Sequence, residues 1–171
     1  LVDEPGTFVL AWTTTPWTLP GNVALAVGEN IDYGFYKKDG EILVVAESLA
    51  EKVLKEGFEK INSMKGSDLV GLSYEPLYPF IKQTEKSHKV YTADFVTTED
   101  GTGIVHTAVM YGADDFLLGT QVGLPKFHLV NDDGSFKNNM DFLSGRFVRD
   151  EEVAIDIIKD LAHRGLLFKK E

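Results

Sequence analysis

Cysteine is absent from the chain, which removes disulfides, thiol nucleophiles and cysteine metal sites at once and fits a reducing compartment. Long apolar runs are missing too. No stretch approaches the roughly 18 residues that a membrane-spanning helix needs, and the N-terminus lacks the charged-then-apolar pattern of a signal peptide. The chain therefore reads as soluble and cytoplasmic, with no membrane partner. Basic residues are scarce, 17 against 27 acidic ones for a net charge of −10, which excludes gripping nucleic acid by a bulk basic face. Any contact with RNA has to be local, or arranged by something else.

Several catalytic signatures are missing as well. There is no G-x-x-x-x-G-K-[ST] phosphate loop, and Gly101-x-Gly103 lacks the third glycine of a dinucleotide fingerprint. No G-x-S-x-G elbow occurs. The four histidines, His88, His106, His128 and His163, are scattered without the spacing of a zinc site. A catalyst made from this chain is left with positioned water, hydroxyls and carboxylates.

What is present suffices for one domain over residues 1–171: at 43 % hydrophobic content, a chain this long buries roughly 70 % of the surface its unfolded form exposes. The start at Leu1 and the charged Lys169-Lys170-Glu171 end suggest a segment excised from something longer. The stretches 7–13, 22–27, 32–38 and 41–47 are short, β-branched or aromatic and bounded by turn residues, as strands are. Asp39-Gly40 signals a type I′ hairpin. Ser48 and Glu51 have capping-box spacing, so a helix is expected from there to a glycine stop at Gly57.

Farther on, GLSYEPLYPF (71–80) reads as irregular extended chain because of its prolines, and KVYTADFVT and GTGIVHTAV as strands. GADDFLLGTQVG (112–123) reads as a short helix with Asp114 and Asp115 in its first turn. Asp132 to Ser135 forms a turn, and Asp150 opens a last helix whose Val153, Ile157, Ile158 and Leu161 make an apolar stripe ending at Gly165. The order favours hairpins over βαβ alternation. The expected fold is α+β, a mostly antiparallel, β-barrel-like core with peripheral helices.

Two stretches carry candidate chemistry. In FVLAWTTTPWTLPGN (8–22), Thr13, Thr14, Thr15 and Thr18 sit where Pro16 and Pro20 stop a sheet ladder and fix a bend, which is a good place for a polar site. Threonine in a strand is otherwise ordinary packing. In GTGIVHTAVMYGADDF (101–116), two glycines permit close backbone approach, His106 follows on the strand, and Asp114 and Asp115 open a helix. Each feature alone reads as a core histidine or a helix cap. The aromatics Tyr74, Tyr78, Phe80 and Tyr91, with Lys82, Lys86, His88 and Lys89, could stack on RNA, but read better as core beneath a solvated face.

Together, W-T-T-T-P-W-T-L-P-G-N (12–22) and G-T-G-I-V-H followed by D-D-F (101–116) closely resemble the editing domain, connective peptide 1 (CP1), of isoleucyl-tRNA synthetases in the class I family. GLSYEPLYPF and GRFVRDEEVAIDIIKDLAHRGLL extend the similarity over nearly the whole chain. Valyl and leucyl relatives typically carry arginine where this chain has Thr15, and E-T or D-T where it has Trp17-Thr18. One departure stands out. Family members often have Ala-Pro after the histidine, where this chain reads His106-Thr107-Ala108-Val109.

The resemblance implies post-transfer editing, the hydrolysis of valine wrongly attached to the isoleucine tRNA, and leaves valyl-adenylate as an additional substrate. A second sieve is needed because one methylene supplies only about 1 to 3 kcal/mol of discrimination, a limit for which isoleucine against valine is the standard illustration. It further implies that Asp115 receives the valine ammonium and that Thr13, Thr14 and Thr15 position water and contact substrate. His106 would line the pocket, while Trp17 and Thr18 hold the terminal adenosine; Asp114 is a competing anchor. The implied partners are the tRNA 3′ end carrying valine and the rest of a monomeric parent synthetase. The synthetic signatures H-I-G-H and K-M-S-K-S are absent, so no metal or cofactor is expected in this domain, with ATP and magnesium reserved for the parent's ligase chemistry. The alternative is a non-catalytic module that binds the tRNA acceptor end.

Overall fold

A computed structural model describes residues 1–170. Its strands are β1 (Thr7–Val9), β2 (Ala24–Val27), β3 (Asp32–Lys38), β4 (Glu41–Ala46), β5 (Glu59–Lys65), β6 (Lys89–Thr92) and β7 (Ile104–Thr107). The helices are α1 (Ala50–Val53), α2 (Gly66–Leu69), α3 (Ala113–Val122) and α4 (Glu151–His163), with a 3₁₀ turn at Pro16–Gly21.

Two small sheets result. The first has the order β1-β4-β3-β5 and the second β6-β2-β7; β1–β4 and β2–β6 are parallel, and the remaining pairs are antiparallel. The expected α+β, mostly antiparallel architecture is present, but the sheets do not close into a barrel. The reason lies in the first strand. It stops at Val9, and the chain reaches the second sheet only through an isolated bridge from Trp12 to Val105, after which Pro16 ends any ladder.

The β3–β4 hairpin turns at Asp39 and Gly40, whose φ values of 50° and 83° are the consecutive left-handed pair of a type I′ turn. The inner faces of the sheets meet in a core that includes Leu25, Val27, Tyr33, Phe35, Val44 and Ile104. A second core lies between the start of β2 and α4. There Val153, Ile157 and Leu161 bury one helix stripe against Val23, Phe136 and Leu143, each aliphatic side chain contributing roughly 1.5–3 kcal/mol. Ile158, placed on the same stripe by its spacing, is half-buried.

Two local expectations fail. Ser48 and Glu51 form no capping box: Ser48 lies within a 3₁₀ turn at Glu47–Leu49, α1 begins only at Ala50, and neither turn nor helix has a side-chain cap. The helix is a single turn ending at Val53 with an extended Leu54 as its C-cap, so Gly57 (φ 94°) serves the approach to β5 instead of a helix C-terminus. Asp150 does occupy the N-cap position of α4, without a side-chain cap hydrogen bond.

The sheets are joined where Gly28, after β2, meets Gly66, after β5. Gly66 N–H donates to the Ile31 carbonyl at 2.9 Å and Ser67 N–H to the Glu29 carbonyl at 3.1 Å. A Cβ on Gly66 would lie 1.8 Å from the Gly28 carbonyl oxygen, a backbone atom that cannot swing aside. Gly66→Ala is expected to cost about 3 kcal/mol or more, because relief requires separating the sheets. Urea unfolding checks this; a loss within a few tenths of a kcal/mol would contradict it.

Candidate functional site

The bend after β1 is built locally. Thr13 Oγ1 accepts the Thr15 N–H at 3.1 Å, and the 3₁₀ turn then opens on Pro16, with Thr18 N–H donating to the Thr15 carbonyl at 3.0 Å. Asn22 N–H closes the turn on Leu19. This presents the threonines along one wall of a cavity of about 350 Å³.

The facing wall comes from β7. Gly101 and Gly103, with φ of 72° and 76°, let the chain turn closely against Trp12 and Ala46 before entering the strand. Antiparallel pairing then sets His106 opposite Leu25 of β2. The register carries His106 to the turn residues that precede β2: its Nδ1 lies 2.7 Å from Asn22 Nδ2 and its Nε2 lies 3.0 Å from Thr18 Oγ1. The imidazole is 7 % exposed, and burial depresses its pKa to about 4, so the ring is neutral at neutral pH.

The carboxylate end is set by α3, which packs Leu118 against Ala26 of the second sheet. Asp115, in its first turn, accepts the Ala108 N–H at Oδ2, 3.0 Å away. Burial pushes the Asp115 pKa up and the neighbouring Asp114 adds to this, while the Ala108 hydrogen bond opposes both. Where the family resemblance suggested proline, Val109 is buried, and a Cβ on Gly119 of α3 would lie 2.7 Å from its Cγ1. Packing against α3 holds the loop that a proline would otherwise stiffen.

Thr13, Thr14, Thr15, Thr18, His106 and Asp115 all line this one cavity. Trp17 does not. Its ring packs against the α4 core and meets Tyr111 edge-on, with centroids 5.3 Å apart, and it is Tyr111 that reaches the cavity. Asp114 is exposed and outside the lining, unlike Asp115. The aromatic and basic stretch around residues 74–91 forms no open stacking platform, since Tyr78 and His88 are buried and Tyr74 turns inward to Asn22.

Sequence reasoning missed Asn22 and Tyr74, which support the site from behind, and Trp12, Phe95 and Thr102, which line it. Asn22 closes the proline-rich motif, and an amide just past a turn that faces a histidine strand was the available signal. Tyr74 gave none. Among the described residues, no cluster of three His, Asp or Glu could hold a metal ion, and no helix is long and apolar enough to cross a membrane.

Comparison with known proteins gives a consistent picture. Isoleucine–tRNA ligase of Bacillus thuringiensis (strain Al Hakam) is 44 % identical over 169 residues, covering 99 % of this chain and 16 % of that protein. The Clostridium tetani enzyme of the same name is 43 % identical over 168 residues, or 98 % of the chain and 16 % of the relative. The chain thus spans about 16 % of the length of the curated relatives it matches. Among solved structures, GlLeuRS-CP1 superposes with a TM-score of 0.77 at 18 % identity, covering 96 % of this chain and 84 % of that one. The editing domain of the P. falciparum cytosolic leucyl-tRNA synthetase gives 0.61 at 14 % identity, over 91 % and 78 %. These likenesses show the fold. No family model matches the chain.

A neutral buried histidine makes stability depend on pH. The unfolded ring protonates near its ordinary 6.5 and the folded ring only near 4, so stability is full above 6.5 and falls as pH drops toward 4. This loss amounts to about 3 kcal/mol for His106. His88, also depressed by burial, adds in the same direction, and Asp115, raised, opposes them at the acid end. His106→Gln is expected to flatten the urea-midpoint profile between those pH values; an unchanged slope would show that His106 does not titrate this way.

Proposed function

The chain belongs to the isoleucyl-tRNA synthetase family, as its CP1 editing segment, and on that premise we propose that it removes valine wrongly esterified to the isoleucine tRNA. The observation that carries the proposal is convergence. Hydroxyls from the turn at residues 13–18, the neutral imidazole of β7 and the carboxylate of α3 open onto one cavity, although up to 102 positions separate Thr13 from Asp115 (115 − 13).

In this reading the Asp115 carboxylate receives the valine ammonium through its free oxygen, while Ala108 N–H holds the other. Arrival of a cation offsets the burial that raises the Asp115 pKa, so substrate binding itself favours the ionised form. The ester carbonyl then lies at a set distance from the threonine wall. A water held by Thr13 and Thr15 attacks the carbonyl carbon, the bond from that carbon to the ribose oxygen breaks, one water proton passes to the ribose oxygen, and the other is released to solvent from the new carboxyl group. Valine leaves, and the tRNA regains its free hydroxyl.

Thr14, whose hydroxyl has no hydrogen-bond partner among the described residues, is free to contact substrate, and Thr18 lies between the adenosine side and His106. Trp17 acts through Tyr111. An aminoacyl ester is already activated, so orienting water and stabilising the oxyanion suffice without metal or cofactor. ATP and magnesium serve ligation elsewhere in a monomeric parent synthetase, which also supplies the phosphate contacts that a chain of net charge −10 lacks, and the setting is the cytoplasm.

Asp115→Asn in the full synthetase keeps the acceptor for Ala108 N–H and removes the charge. Deacylation of valyl-tRNA is expected to fall by roughly a hundredfold or more, with isoleucylation unchanged. Undiminished deacylation would overturn the assignment.

A further inference from the structure

The cavity's hydrogen bonds have a direction, and it is set from outside the cavity. Thr18 Oγ1 lies 2.9 Å from the Thr15 carbonyl, which only accepts, so the single hydroxyl proton is spent there. His106 Nε2, 3.0 Å from the same oxygen, must then donate. The other side of the ring gives the same answer independently. Asn22 Nδ2 faces the Ala24 carbonyl at 3.0 Å, which identifies it as the amide nitrogen, and the same nitrogen donates to His106 Nδ1 at 2.7 Å. The ring therefore carries its proton on Nε2.

With Nδ2 so placed, Asn22 Oδ1 points to Tyr74, whose hydroxyl donates to it. Tyr74 does not line the cavity and is partly buried on the extended segment before β6, where its ring also meets His88 edge-on. Without that hydroxyl, Asn22 would hold a buried acceptor with no partner, and a turned amide would present oxygen to His106 Nδ1. We propose that Tyr74 is a positioning residue that, through Asn22, holds His106 in its Nε2–H form and so keeps the Thr18 hydroxyl proton on the Thr15 carbonyl, with the imidazole as a donor to Thr18.

The direction has a chemical meaning at the wall. Thr18 has no proton to offer Thr15 Oγ1, 3.4 Å away, so Thr15 donates to Thr18. Thr13 Oγ1, already accepting Thr15 N–H, turns its own proton toward Thr15 Oγ1, also 3.4 Å away. Thr13, Thr15 and Thr18, their protons committed, thus present lone pairs to the cavity, while Thr14 keeps its proton. A water that meets those three donates its hydrogens to threonine and keeps its oxygen lone pair for an electrophile. Because the ring is neutral at working pH, the tautomer, not the charge, is what Tyr74 selects.

The test has two arms, of which only the second rests on the editing reading. Long-range proton–nitrogen correlation NMR of the histidine rings, in this chain at mildly alkaline pH, is expected to show His106 protonated on Nε2 alone. Tyr74→Phe should shift part of the population to Nδ1–H. Asn22→Asp keeps the side chain's shape without a donor, so Nδ1 should gain a proton in that variant even if Tyr74→Phe folds poorly. A wild-type ring protonated on Nδ1, or a ring unchanged in both variants, overturns the proposal.

In valyl-tRNA deacylation by the full synthetase, Tyr74→Phe is expected to lower kcat about fivefold with KM unchanged, as for one lost positioning hydrogen bond. A raised KM at unchanged kcat would make Tyr74 a packing residue and overturn its positioning role. If the wild type itself does not deacylate valyl-tRNA, the editing reading falls alone and the NMR arm decides the proposal.

Discussion

The register of β2 against β7 is the constraint on which the rest of the site depends. Leu25 opposite His106 is one step in a four-residue ladder, and side chains alternate faces along a strand, so a slip of one residue would send the imidazole to the other side of the sheet. Asn22 and Thr18 precede β2 and are carried to His106 by the same register. Both faces of the second sheet are covered, by the inter-sheet core on one side and by α3 and the α4 core on the other. Apolar packing thus fixes a polar arrangement. The hydrogen bonds need contribute little net stability to be geometrically exact, because the strands have already been placed.

A second fixture holds β7 at its start. Tyr33 of β3 is fully buried, accepts the Gly28 N–H at 2.9 Å and donates to the Gly103 carbonyl at 2.6 Å, so a single phenol joins the first sheet to the exit of β2 and the entrance of β7. Burial pushes its pKa up to about 12, which keeps it a donor at any pH the protein tolerates. Thr13 to Thr15, by contrast, are tied only by local contacts and the bridge at Trp12, whereas Thr18 is held by His106 and Trp17 by the α4 core. Residues 13–15 are therefore the less restrained part of the cavity, and Thr14 and Thr15 are exposed where the side chains of β7 are largely buried.

How much of this was legible in the sequence follows from what each element buries. β2, β3 and β4 carry apolar or aromatic runs between turn residues, and α4 carries an i, i+4, i+8 stripe, so both could be read. β5 could not. It is an edge strand exposed along nearly all of EKINSMK, with no alternation to betray it. The spacing of Ser48 and Glu51 pointed to a capping box, but tertiary placement of the preceding 3₁₀ turn overrode it. In the site, the threonines, His106 and Asp115 were legible because they are concentrated in two motifs. Tyr74 was not, because its hydroxyl reaches Asn22 across 52 positions from a stretch whose prolines say only that it is irregular.

The contact between Trp12 and Gly101 bears on how such a cavity can change. A Cβ at Gly101 would lie 3.0 Å from the indole, at a φ of 72° that side chains resist, while Trp12 remains 44 % exposed at the cavity's edge. The absence of a side chain at Gly101 therefore lets the Trp12 indole sit close against the start of the β7 segment. A side chain there would have to push the indole outward while touching none of the cavity's hydrogen-bonded polar groups, so the rim and the polar wall are set by separate positions.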